Sequence, residues 1–85
     1  MAKIVKQFGD RDNVMIAVEA GKDDANREGV HVHVYKRGRR TDTRIPGNNR
    51  DLDDKDYDKA YELFNSNYSE IRDYYERVAR GEFDT

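Results

Sequence analysis

The apolar residues of this chain change their period near its middle. Val14, Ile16 and Val18 lie two apart, and so do Val30, Val32 and Val34. Such alternation places side chains on one face of a strand. From residue 57 the spacing becomes 4, 3, 4, 3, 4, 3 through Tyr57, Tyr61, Phe64, Tyr68, Ile71, Tyr75 and Val78, with Ala60 and Tyr74 widening the stripe. That is the period of a helix with one apolar face. A strand half (1–47) followed by a helical half (51–80) predicts an α+β fold. An antiparallel sheet of three to four strands should carry a C-terminal helix or helix pair on its valine face. At 85 residues the chain has room for one core, and residues 1–85 read as a single domain.

Local signals divide the strand half. Lys3 to Phe8 reads as a first strand, with Gly9 to Asn13 as its turn, and Val14 to Glu19 as the second. Ala20 to Gly29 is a polar connection without periodicity. Val30 to Tyr35 forms the third strand. Lys36-Arg37-Gly38-Arg39 is a tight turn, because glycine supplies the positive φ a short hairpin needs. Arg40 to Ile45 returns as the fourth strand, and Pro46-Gly47-Asn48-Asn49 ends it. Asp51 or Asp53 can cap the helical segment, and Gly81 is a suitable stop. Asn65-Ser66-Asn67 are poor helix formers, so either one long helix or two with a bend fits.

Leu, Ile, Val and Phe together number only 16, a level at which disorder requires high net charge as well, and the net charge here is −2. The chain has no cysteine, which excludes disulfides, thiolate metal sites and a thiol nucleophile. The N-terminus lacks a signal-like apolar run, and nowhere do 18 apolar residues follow one another, so a cytoplasmic protein without membrane contact is expected. Charge is segregated along the chain. Lys36, Arg37, Arg39, Arg40, Arg44 and Arg50 stand against Asp42 alone, and then Asp51, Asp53, Asp54, Asp56 and Asp58 stand against Lys55 alone.

The chain's two histidines, His31 and His33, fall on one side of the third strand with Tyr35. Two imidazoles at i and i+2 can share an ion, with Asp23, Asp24 or Glu28 as further ligands, but zinc or iron usually needs three or four ligands. No metal or cofactor is therefore expected. As acid and base beside an arginine the pair would suit a metal-independent ribonuclease, the minority reading. There is no glycine-rich phosphate loop and no serine elbow. The expected function is a small non-enzymatic module that binds a macromolecule, with a protein as the first expectation. If helices cover one sheet face, the other would display Met15, Ala17, His31, His33 and Tyr35 as an interface. Such a face would suit an antitoxin-like partner or a phage anti-defence (anti-CRISPR-type) inhibitor, in which Asp51, Asp53, Asp54, Asp56 and Asp58 would present a DNA-like row to a basic groove. The alternative is nucleic acid, held by Arg37, Arg39, Arg40 and Arg44 with His31, His33 and Tyr35 stacking on bases. A homodimer through a sheet edge is left open.

The stretch His31-Val32-His33-Val34, the basic hairpin Lys36-Arg37-Gly38-Arg39-Arg40, and Asn67, Ile71 and Tyr75 at four-residue steps resemble a family of small bacterial and mobile-element proteins, the domain of unknown function DUF 4160. The similarity spans residues 14 to 80. Its members often stand near toxin–antitoxin genes, so the resemblance implies a toxin–antitoxin neighbourhood. Members usually carry a further histidine and a Pro-Pro pair before the His-x-His strand. This chain has Asn26-Arg27-Glu28-Gly29 there, which removes any role for a third histidine.

Overall fold

Four strands follow one another as neighbours in one antiparallel sheet, and two helices then pack across it: β1 (Lys3–Gly9), β2 (Val14–Ala20), β3 (Val32–Lys36), β4 (Arg39–Ile45), α1 (Asp54–Ser66) and α2 (Tyr68–Ala79). The computed structural model describes residues 3–20 and 29–83. Most of the polar connection expected at Ala20–Gly29, including Asp23, Asp24 and Glu28, lies outside the described residues.

The two periods of the sequence meet in the core. Val14, Ile16, Val18 and Ala20 of β2, Val32 and Val34 of β3 and Ile45 of β4 are buried against Ala60 and Phe64 of α1 and Ile71 and Val78 of α2. The first helix lies over β2 and β4, the second over β2 and β1. Asp53 is the N-cap of α1, its carboxylate accepting from the Asp56 amide at 2.8 Å, so the capping role falls to Asp53. Between the helices Asn67 leaves helical geometry (φ −116°, ψ 17°), and its side-chain amide donates to the Leu63 carbonyl at 2.9 Å. The helical segment is thus two helices. Phe64, Ile71 and Val78 stay buried at seven-residue steps across the break, but Tyr68, expected inside, is 43% exposed with its ring edge-on to Phe64.

The β3–β4 hairpin turns at Arg37 and Gly38, both at positive φ (53° and 78°), as a two-residue loop requires. Its pairing is irregular. Tyr35 faces Arg40, but His33 faces Arg44, so β4 carries two more residues than β3 over this stretch. The Thr41 hydroxyl donates to the Val34 carbonyl at 2.7 Å where ladder pairing lapses. An even insertion keeps every side chain on its own face.

Candidate functional site

The sheet face away from the helices is built around a carboxylate. Glu19 follows Met15 and Ala17 on that side of β2 and is the only charged residue of the strand. Its side chain is 1% exposed. A buried charge needs a partner and hydrogen bonds on its remaining lone pairs, and both are present. Arg40 donates from Nη2 to Oε1 at 2.9 Å and from Nε to both carboxylate oxygens at 3.2 Å. The Tyr35 hydroxyl donates to Oε2. His33 Nε2 stands 3.5 Å from Oε1. Arg40 Nη2 is 3.0 Å from Nδ1 and 3.4 Å from Nε2 of His33. A bond along one ring lone pair would leave the other nitrogen much farther away, so the guanidinium lies against the ring face. Burial, followed by the hydrogen bond and charge of Glu19, pushes the Tyr35 hydroxyl up from 10.0 to about 12.

The open aromatic face expected from the sequence is therefore closed. Met15, Ala17 and His33 are 3%, 0% and 2% exposed, while Tyr35 and His31 are half-buried. On this face Arg40 and Tyr35 both reach across to Glu19. His31 sits just before β3, and its ring stands edge-on to His33 (5.6 Å between centroids) and to Tyr75 of α2 (5.3 Å). The histidines are thus brought together as predicted, with a tyrosine from the helix beside them. Among the described residues no group of three or more His, Cys, Asp or Glu side chains is arranged to hold a metal.

The acidic row is dispersed over separate tasks. Asp53 caps α1. Asp56 pairs with Lys36 at 2.8 Å, and that lysine also donates to Asn13 Oδ1 at 3.1 Å. Asp51 accepts from the Asp42 amide at 2.9 Å and from the Thr43 hydroxyl at 2.7 Å, bonds that hold its carboxyl below the usual range. Asp54 and Asp58 remain exposed.

Of the predicted cations, Arg40 belongs to the buried cluster. Arg37 and Arg39 are exposed at the hairpin tip, Arg44 is half-buried on β4, and Arg50 is exposed on the loop that follows. Arg44 and Arg50 line a cleft of about 380 Å³ together with His31, Asp42 and the Pro46-Gly47-Asn48 turn. Sequence reasoning missed both Glu19 and this cleft. The signal for Glu19 was a lone acid on a strand whose other residues are all apolar. The cleft had no comparable signal, because a bulge and a loop assemble it. Comparison with family models, with curated proteins and with solved structures gave no match.

Proposed function

We propose that this chain is a small binding module for a macromolecular partner, without a reaction of its own, and that the partner met by its arginines is nucleic acid. One observation carries the reading. Lys36 and Arg40 are taken up by Asp56 and Glu19, whereas the side chains of Arg37, Arg39, Arg44 and Arg50 make no ion pair among the described residues. Four guanidinia without an ion pair among the described residues, along one hairpin and its following loop, suit phosphates, which they can engage in bidentate fashion. The overall charge of −2 does not oppose this, because charges farther apart than about 8 Å are largely screened at physiological ionic strength. The full set of hydrogen bonds on Glu19 supports a framework use of the Glu19–His33–Tyr35–Arg40 cluster over acid–base chemistry. It leaves the carboxylate no lone pair directed at a substrate.

The test is fluorescence anisotropy with a labelled single strand and a duplex of the same sequence. Replacing Arg37 and Arg39 with glutamine should weaken binding by about tenfold or more while leaving the fold intact. Wild-type protein that fails to bind at low salt would remove the reading.

A second reading keeps the expected protein partner, of toxin–antitoxin or phage anti-defence kind. Its support is β1, which ends the sheet order and carries Ile4 at 40% exposure. A terminal strand can accept a further strand from a partner. Co-elution with a toxin or nuclease encoded beside this chain, lost in Ile4→Lys, would favour it. Co-elution unchanged in that variant would count against a docking role for β1.

A further inference from the structure

The cleft beside β4 has a lining that joins cations to directional polar groups. Arg44 projects from β4, on the face it shares with His33, and Arg50 comes from the loop that leads into α1. Their two guanidinia supply charge for a phosphate. Asp42 contributes an acceptor, Asn48 an amide with both donors and an acceptor, and His31 and Pro46 contribute flat surface. A volume of about 380 Å³ lies at the small end of ligand pockets, which run from about 300 to 1,000 Å³.

The loop that forms one wall is held from behind. Tyr57 of α1 donates its hydroxyl to the Gly47 carbonyl. The Thr43 hydroxyl accepts from the Arg50 amide at 3.2 Å and donates to Asp51 at 2.7 Å. Asn49 accepts from the Leu52 amide at 2.9 Å and donates to the Leu52 carbonyl at 2.6 Å. Arg50 is therefore presented by a braced backbone, so less ordering is needed when a ligand arrives.

Asp42 narrows the ligand class. A carboxylate in the lining opposes a bare phosphate dianion, but it accepts from a ribose hydroxyl or a base N–H. The mixture of two guanidinia, one carboxylate, one amide and a flat ring matches a nucleotide better than an inorganic anion. We infer that this cleft is a nucleotide site, taking the phosphate on Arg44 and Arg50 and the sugar or base on Asp42, Asn48 and His31. It rests on the nucleic-acid reading above and names where one nucleotide of a strand is seated.

The experiment is an amide chemical-shift titration of the full chain with three probes: a single-stranded oligouridylate, uridine 5′-monophosphate and inorganic phosphate. The expected result is movement of the Gly47, Asn48 and Arg50 amides with the oligonucleotide, and about a tenfold or greater loss of affinity in the Arg44→Gln/Arg50→Gln variant. The single Arg50→Gln variant, altered only at an exposed side chain, should show part of that loss and keeps the test readable if the double variant unfolds. Asp42→Asn should strengthen inorganic phosphate while weakening the nucleotide. Cleft amides that move with the mononucleotide when the oligonucleotide does not bind would uphold the site, assign it to free nucleotides, and defeat the strand-binding reading. Oligonucleotide binding that moves only the Arg37–Arg39 amides would overturn the site and leave that reading standing. Still cleft amides with every probe would overturn the inference.

Discussion

Arg40→Leu should cost more stability than Glu19→Gln, although the two changes break the same ion pair. The asymmetry comes from exposure. Glu19 is 1% exposed and Arg40 is 46% exposed. Removing Arg40 leaves a carboxylate inside the sheet face with, among the described residues, Tyr35 and His33 beside it. Stripping one partner from a buried pair costs about 3–5 kcal/mol. Removing the charge of Glu19 leaves a guanidinium that already reaches water and can be solvated further. What is lost is mainly the charged character of its hydrogen bonds, about 1.5–3 kcal/mol. Urea unfolding followed by circular dichroism, with the slope held common if it is unchanged, gives both values. In a domain of this size each kcal/mol lowers Tm by roughly 4–8 °C, so the two variants should be separable by heating as well. Equal losses, or a larger loss for Glu19→Gln, would refute the claim that the buried carboxylate is the costly member of the pair.

Three further outcomes follow from the same contacts. Ile71→Ala removes a fully buried side chain between α2 and the sheet and should cost about 2–5 kcal/mol in urea unfolding, whereas Tyr68→Ala, on the exposed side of the bend, should cost clearly less. The Tyr35 hydroxyl is held neutral up to about pH 12 in the fold but ionises near 10.0 when unfolded. Its contribution is therefore complete below pH 10 and declines as pH rises from 10 towards 12, by roughly 2–3 kcal/mol at most, and Tyr35→Phe should flatten that decline. Asp53→Ala removes the α1 cap and should cost about 1 kcal/mol, measured as a shift in urea midpoint, while Asp54→Ala should change stability far less.

Much of the architecture was legible because burial imposes period. The valines of β2 and β3 and the 4-3 stripe of the helices announced which faces would meet, and Arg37-Gly38 announced its turn. The bend at Asn67 was open between two forms, since Asn65 to Asn67 weaken a helix without deciding where it breaks. Tyr68 fitted the stripe by its spacing but stands at its edge, while Phe64, Ile71 and Val78 hold the buried line through the break. The site was less legible. Glu19 reads as a polar end to an apolar strand, and its partners Tyr35 and Arg40 lie 16 and 21 residues further along the chain. Period two placed the histidines on one face but gave no information about whether that face was open. The sheet's irregularity opposite His33 has no clear sequence signal, yet it sets Arg44 opposite that ring and helps to shape the cleft.

The dependence of oligonucleotide affinity on salt tests the proposed role most directly. Four arginines without ion pairs among the described residues, each displacing counterions from a single strand, give a slope of log K against log salt of about −3. Wild-type protein should show that slope between about 50 and 200 mM salt, and Arg44→Gln/Arg50→Gln should reduce it by about 1 to 2. An affinity that does not change with salt, or no binding at the lowest salt, would contradict it.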